Sequence, residues 1–282
     1  MTSAYSPKSL AEARHALAAG ATKVGGATDL LVIDHATGRE HASVLNVLAI
    51  RELQGIRVEA EQINIGAACT FTQIRQSAEL AKHARLLVDA AATIGAAQIQ
   101  NRATLGGNIA NASPAGDSLP ALLALGAMIL IAGPLGERTV PYNAFHTGYR
   151  QTVLGPDELI ARVLIPLPSP TVQILRKVGT RAAQAISKVV VGFASDAPSH
   201  PILENVRLAM GSIAPTPVRL HEVEVLIEDE PLTEDLANRA AALVEKTITP
   251  IDDIRSTAEY RRHVAGQVVR RLLLDLLTSP RA

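Results

Sequence analysis

Two pairs of adjacent glycines are the residues of this chain best suited to hold a ligand. The first pair, Gly25-Gly26, lies in TKVGGATDLL, where a short apolar segment runs into small and polar residues. Glycine lets backbone N–H groups approach an anion closely, and a helix that begins after such a turn adds a favourable dipole. The spacing is neither GxGxxG nor the Gly-Lys-Ser/Thr of a P-loop, so a plain tight turn also explains this pair.

The second pair, Gly106-Gly107, lies in the polar stretch RATLGGNIANASPAGDSLP (102–120), which the apolar run ALLALGAMIL follows at once. Hydroxyl and amide side chains in this stretch can bind a ligand or cap turns, so a ligand loop and a structural loop both fit. Two such loops in one chain favour a phosphate-bearing ligand, because a diphosphate needs several N–H donors. A loop of this kind would bind such a ligand mainly through its backbone N–H groups.

Other kinds of site find little support in the sequence. Cys69 is the single cysteine, which excludes an internal disulfide and a cysteine-ligated iron–sulfur cluster, and its apolar neighbours predict a small buried residue. The motifs HExxH, CxxC and GxSxG do not occur. Lys188, within the strand-like AISKVVVGFAS, either reaches solvent or points its charge at a ligand between two domains.

Composition narrows the class of protein. The chain has 282 residues, of which 48% are hydrophobic and 19% charged, so we expect a substantial folded core. Basic and acidic residues both number 27, and aromatic residues make up 2% of the chain, which argues against a nucleic-acid partner. Apolar runs stay below the roughly 18 residues that span a bilayer. The first residues do not resemble a signal peptide, and we therefore expect a cytoplasmic protein without a membrane span.

Hydrophobic periodicity predicts mixed elements up to a proline-rich linker at 166–173, where three prolines occur within five residues. A run of strands followed by a run of helices then indicates a separate α+β domain. The predicted helices before the linker cover residues 8–19, 70–82, 84–95 and 119–126. The predicted strands there cover 21–24, 43–50, 127–132 and 157–166, with a hairpin over 56–68. Beyond the linker we predict strands over 173–179, 185–195 and 202–213, then helices over 216–227, 233–248 and 257–277.

Several sequence blocks occur in an order that closely resembles one family. The blocks are KVGGATDLL, IGAACTFTQI, QIQNRATLGGNIANASPAGDSLPALLALGA, DELIARVLIP, RKVGTRAAQAISKVVVG, APTPVR and YRRHVAGQVVRR. Together they resemble the FAD-binding medium subunit of the molybdenum hydroxylases, the xanthine dehydrogenase and carbon monoxide dehydrogenase family. The resemblance covers nearly the whole chain, and residues 98–127 are its most specific part.

The resemblance implies an α+β fold in two domains. Residues 1–168 would form an FAD-binding domain of the vanillyl-alcohol-oxidase type, built from two α/β subdomains at about 1–52 and 53–168. Residues 169–282 would form a C-terminal domain of the carbon monoxide dehydrogenase flavoprotein type, with a three-stranded antiparallel sheet and a helical bundle.

The resemblance also implies cofactor-binding positions in both domains. Asp117 matches the family's acidic residue in the FAD site. Ile94 matches a position that often holds an aromatic side chain near the flavin, and Lys188 matches a lysine that contacts the cofactor from the C-terminal domain. The charge of this lysine would favour an anionic reduced flavin. The first pyrophosphate loop would comprise Lys23, Val24, Gly25, Gly26, Ala27, Thr28, Asp29 and Leu30. The second would comprise Thr104, Leu105, Gly106, Gly107 and Asn108, with Leu159 and Ile160 as apolar neighbours of the isoalloxazine or adenine.

By the same resemblance, the reaction is divided among three subunits. A large subunit would carry the molybdopterin cofactor, and a small subunit would carry two [2Fe–2S] clusters. The FAD chain would pass their electrons to NAD⁺, O₂ or another acceptor, within a dimer of heterotrimers. Two alternatives remain: an assembly module that has lost its flavin, which the intact glycine loops disfavour, and a stand-alone flavin oxidase, for which no substrate domain is apparent. The substrate of the complex stays open.

Overall fold

The computed structural model describes residues 3–228 and 230–278, except for the side chains of residues 198 and 199. The predicted domain limits at residues 1 and 282 therefore lie outside the described residues. The N-terminal part holds two sheets, each covered by helices, and the C-terminal part holds a third sheet with its own helices. The predicted α+β fold is confirmed.

The first sheet is a small parallel one with strand order β1-β3-β2. Its elements are β1 (Ser3–Tyr5), α1 (Leu10–Ala18), β2 (Thr22–Val24), α2 (Leu30–Thr37) and β3 (Ser43–Asn46). Helix α1 begins at an N-cap, Ser9, whose side chain accepts a hydrogen bond from the N–H of Glu12. One face of α1 is buried, whereas α2 has no buried residue. The first glycine pair thus leads from a strand into a helix that packs only loosely.

The second sheet has five antiparallel strands in the order β4-β5-β10-β6-β7. These are β4 (Ile56–Val58), β5 (Gln62–Gly66), β6 (Met128–Gly133), β7 (Gly136–Pro141) and β10 (Leu159–Pro166). Between β5 and β6 the chain forms α3 (Phe71–Gln76), α4 (Ala78–His83), α5 (Arg85–Thr93), α6 (Ala97–Gln100), α7 (Leu105–Asn111) and α8 (Ser118–Ala124). A short hairpin, β8 (His146–Gly148) and β9 (Gln151–Thr152), precedes β10.

The C-terminal sheet is antiparallel with the order β11-β12-β13-β14. Its elements are β11 (Val172–Val178), β12 (Val189–Ser199), β13 (Ile202–Gly211), β14 (Val218–Arg219), α9 (His221–Glu228), α10 (Glu234–Thr247) and α11 (Ala258–Thr278). The three predicted strands are present, and the two-residue β14 extends the sheet where a helix from residue 216 was predicted. That helix begins only at His221.

Helix α8 joins the two parts of the chain, because it is almost wholly buried between them. A Cβ atom at Gly192 of β12 would lie 2.9 Å from the carbonyl oxygen of Pro120, so the helix lies directly on the C-terminal sheet. The core around α8 includes Ala194 and Ala209 of that sheet. The N-terminal part of the chain therefore completes its core with residues of the C-terminal sheet.

Three further sequence-based predictions about local structure are wrong. The strand expected over 43–50 ends at Asn46, where a 3₁₀ helix over Val47–Ala49 follows. The single helix expected over 70–82 is two helices, because Ser77 ends α3 and caps α4 by accepting a hydrogen bond from the N–H of Leu80. The second glycine pair, expected in a loop, lies in the first turn of α7. Helix α7 carries two glycines in seven residues, so propensity disfavours it and tertiary packing must hold it.

Candidate functional site

The first glycine turn follows β2 and leaves its backbone donors available. Ala27 adopts a left-handed conformation with φ 61°, which turns the chain toward α2. Among the described residues, the N–H groups of residues 26–29 have no intramolecular acceptor. All four residues are half-buried or exposed, so these N–H groups can be reached by a ligand.

The second glycine turn is anchored on the core. Thr104 caps α7, since its Oγ1 accepts from the N–H of Gly107 at 3.1 Å. The N–H groups of Leu105 and Gly106 donate to the carbonyl oxygens of Cys69 and Ala67 at 2.9 and 2.8 Å. These donors are already paired within the chain, in contrast to the N–H groups of residues 26–29.

The first glycine turn packs closely against residues 102–104, which lead into the second. A Cβ atom at Gly26 would overlap the carbonyl oxygen of Arg102, and one at Gly25 would lie 3.0 Å from Oγ1 of Thr104. Arg150 adds a polar link, because its guanidinium donates to Asn111 Oδ1 at 3.3 Å and lies 3.7 Å from the carboxylate of Asp29. The sequence placed these turns about 80 residues apart, and the fold brings them together.

Lys23 connects the first turn to the segment before β10. Its Nζ donates to the carbonyl oxygen of Pro156, and burial lowers the pKa of Lys23 while Asp157 and Glu158 oppose this shift. Leu159 and Ile160, at the start of β10, are each 5% exposed and belong to the cores of the two N-terminal sheets. Their side chains therefore pack inside the protein.

Asp117 lies at the seam between the domains, immediately before α8. Its Oδ2 accepts from Lys177 Nζ at 2.5 Å and from Thr93 Oγ1 at 3.2 Å. Burial raises the pKa of Asp117, and the charge and hydrogen bond of Lys177 oppose that increase. Its Oδ1 is buried and has no hydrogen-bond partner within the described structure.

Lys188 and Ile94 flank this seam. The Nζ of Lys188 lies 4.7 Å from the ring centroid of Tyr260, and the lysine is half-buried. Ile94 directly follows Thr93 and packs, partly buried, against the N-terminal core. The side chain of Asn108 accepts from the hydroxyl of Ser118 at 2.6 Å, which ties α7 to α8.

Several residues of this arrangement were missed by sequence reasoning. Lys177, Thr93 and Ser187 surround Asp117, and Arg150 links the two glycine turns. Of these residues only Lys177 could have been noticed in the sequence. It lies in the strand pattern QILRKVG, and a lysine on the covered face of a sheet needs an acidic or hydrogen-bonding partner. The other three are common polar residues whose role depends on long-range contacts.

Metal and membrane sites are not supported by the described residues. Within residues 3–228 and 230–278, no cluster of three His, Cys, Asp or Glu side chains could hold a metal ion. No described helix is both long and apolar enough to cross a bilayer. Cys69 is buried, its thiol contacts the carbonyl oxygen of Gly55, and burial raises its pKa, which agrees with the predicted structural role.

Packed glycine turns with free N–H groups, within an α+β fold, are typical of proteins that bind a nucleotide diphosphate. The family profile described as "FAD binding domain in molybdopterin dehydrogenase" matches residues 1–168. The profile described as "CO dehydrogenase flavoprotein C-terminal domain" matches residues 175–276. The chain belongs to this family and is an FAD-binding medium subunit of the molybdenum hydroxylases, an oxidoreductase component.

Individual relatives agree with this assignment. The chain is 31% identical to the xanthine dehydrogenase FAD-binding subunit of Escherichia coli O157:H7, over 91% of this chain and 88% of that protein. It is 28% identical to the nicotinate dehydrogenase FAD-subunit of Eubacterium barkeri, over 97% and 95%. A solved carbon monoxide dehydrogenase from Hydrogenophaga pseudoflava, lacking the Mo-pyranopterin moiety of its molybdenum cofactor, superposes with a TM-score of 0.91. The sequence identity is 27%, and 96% of this chain and 95% of that chain are covered.

The residues present fit FAD. The glycine turns form a cradle that Cβ atoms would fill, and its free N–H groups suit a diphosphate. The buried Oδ1 of Asp117 needs a donor, which the hydroxyl and ring N–H groups of FAD can supply.

Proposed function

We propose that this chain is the electron exit of a three-subunit molybdenum hydroxylase. It would take electrons from [2Fe–2S] clusters on a small partner subunit and deliver them to NAD⁺, O₂ or another acceptor. A large partner subunit would hold the molybdopterin cofactor and oxidise the substrate. The assembly would be a dimer of heterotrimers, and its expected cytoplasmic location stays a prediction.

The observation that carries this proposal is the close packing of the two glycine turns with unpaired N–H groups at residues 26–29. A module that had lost its flavin would have no use for such donors or for the buried, unpaired oxygen of Asp117. Bound FAD supplies the redox chemistry, because it can accept single electrons and release a pair. The protein's part is to bind it, orient it and keep its polar groups paired.

Within this proposal each group of residues has a distinct role. The first turn, 23–30, donates backbone N–H groups to the diphosphate, and Thr104 to Asn108 form the rigid surface on which that turn rests. Asp117 accepts a hydrogen bond from the cofactor. Lys188 brings a positive charge from the C-terminal domain, and Leu159, Ile160 and Ile94 exclude water from the apolar part of the site.

The visible spectrum of the purified chain tests cofactor binding. Oxidised FAD absorbs at about 450 nm, and mass spectrometry of the released cofactor distinguishes FAD from FMN. Gly107→Val places a side chain on the exposed start of α7, where the added Cβ would meet only Thr104 Oγ1, at 2.8 Å. We expect this variant to fold but to lose its flavin. A folded wild-type complex that releases no flavin would exclude the proposed function.

The direction of electron flow needs the whole complex. When the substrate reduces the wild-type complex under anaerobic conditions, the flavin absorbance at about 450 nm should decrease. It should return when NAD⁺ or O₂ is added. The complex reconstituted with Gly107→Val should still reduce its iron–sulfur clusters but should not pass electrons to the added acceptor. Unchanged turnover in that complex would show that electrons leave elsewhere.

A further inference from the structure

The carboxylate of Asp117 is held by a residue from the other domain. Both partners are largely buried: 12% of the Lys177 side chain and 7% of the Asp117 side chain are exposed to solvent. Lys177 lies on β11 of the C-terminal domain, whereas Asp117 and Thr93 belong to the FAD-binding domain. The Nζ of Lys177 also donates to the carbonyl oxygen of Thr93 at 2.9 Å. One ammonium group therefore fixes two segments of the FAD-binding domain.

The two carboxylate oxygens of Asp117 have different environments. Oδ2 accepts two hydrogen bonds, from Lys177 and Thr93, while Oδ1 is buried without a partner among the described residues. A buried acceptor without a donor is costly, and native proteins that keep one usually pair it with a ligand or water. The lysine thus anchors one oxygen and leaves the other open for a donor.

The same cluster reaches the other expected cofactor contacts. Thr93 directly precedes Ile94, and Ser187, which lies near the carboxylate of Asp117, directly precedes Lys188. The hydroxyl of Ser187 lies 3.0 Å from that of Ser212 and donates to the carbonyl oxygen of Ala115 at 3.3 Å. Segments of both domains therefore meet at the Asp117 carboxylate.

We propose that Lys177 is a positioning residue of the FAD site. It holds Asp117 by Oδ2, so that Oδ1 receives a hydrogen bond from a hydroxyl or N–H group of FAD. This inference rests on the proposed function, and it makes FAD affinity depend on a contact between the two domains.

The test measures FAD binding to the full-length apoprotein by quenching of flavin fluorescence, alongside thermal unfolding of each apoprotein. We expect Lys177→Met to raise the dissociation constant for FAD by about tenfold or more, because the open oxygen is no longer held in place. Lys177→Arg, which keeps the charge, should recover part of the affinity. Arg176→Met is the matched control, since Arg176 is the next residue on β11 and pairs with the C-terminal domain's own Asp275. It should bind FAD within about twofold of the wild type.

A double-mutant cycle separates positioning from general stability. If Lys177 acts through Asp117, Asp117→Asn should weaken FAD binding, and adding Lys177→Met to it should change the dissociation constant by less than about twofold. The double variant leaves no unpaired buried charge, so it tests the inference even where Lys177→Met fails to fold. Additive losses, or wild-type FAD affinity in folded Lys177→Met, would overturn the inference. Absence of FAD binding by the wild-type chain would instead overturn the proposed function.

Discussion

The first glycine turn is half-exposed and leads into a helix without a buried residue, whereas the second turn begins a helix that is anchored on the core. The backbone donors of the second turn are paired within the chain, and those of residues 26–29 are free. Two turns with the same Gly-Gly sequence thus differ in structure. In the proposed function the second turn is a rigid support, and the first turn would supply the hydrogen bonds to FAD while resting on that support.

The largest effect is expected from adding a side chain to the buried glycine of the second turn, Gly106. A Cβ atom at Gly106 would lie 2.6 Å from Cβ of Ala67 and 2.9 Å from its carbonyl oxygen. We expect Gly106→Val to lower the free energy of unfolding by about 3 kcal/mol or more, because neither backbone segment can move away. Gly107→Val, one residue later and exposed, should cost less than about 1 kcal/mol. Denaturant unfolding of the two apoproteins measures both values, and equal losses would contradict the assigned difference.

The protein should also lose stability in acid, because His146 contacts α7, the helix that carries the second glycine turn. Its Nε2 donates to the carbonyl oxygen of Ile109 at 3.2 Å, and its ring lies edge-on to Tyr142 and Phe145. Burial lowers the pKa of His146 from 6.5 to about 4. Between these values the unfolded chain binds the extra proton, so stability falls as the pH decreases from about 6.5 to about 4.

Partial exposure of the ring limits this effect to about 1–2 kcal/mol. Urea unfolding at several pH values measures it, and His146→Phe, which keeps the aromatic contacts, should show a smaller decrease over the same range. Parallel pH curves for the two proteins would show that His146 does not cause the effect.

A smaller effect is expected at the contact between the turns. Thr104→Ala removes the cap of α7 and the hydroxyl on which Gly25 rests, and should cost about 1 kcal/mol. Thr104→Ser keeps the hydroxyl and should retain most of the stability and the FAD affinity. Should both variants lose equally, the methyl group rather than the cap would be responsible.

The smallest expected effect concerns Ala27 in the first glycine turn. Ala27 is left-handed, a conformation that costs an L-residue about 1 kcal/mol. Ala27→Gly should therefore raise the free energy of unfolding by about 0.5 kcal/mol, after the greater flexibility of glycine in the unfolded chain is included. Ala19→Gly, at a position with φ −79°, is the control and should give no gain. A loss at position 27 would indicate that the alanine methyl is needed for packing.

The sequence predicted most of the strands and helices and the turn at Gly25-Gly26, because apolar periodicity and a Gly-Gly pair are local signals. It missed that Gly106 lies in a helix, since two glycines argue against one and only the contacts to Ala67 and Cys69 hold it. It also missed Lys177. A strand pattern shows that a lysine is out of place, but not which carboxylate, 60 residues away, will pair with it.

The burial of α8 under the C-terminal sheet affects how the protein matures. During synthesis the first domain leaves the ribosome before the strands that cover α8, and before Lys177 is available to Asp117. Until β11 and β12 have emerged, the nascent chain exposes the apolar surface of α8 and an unpaired acid. We therefore expect cofactor loading to follow completion of the chain, so that truncated products remain without flavin and are selectively degraded.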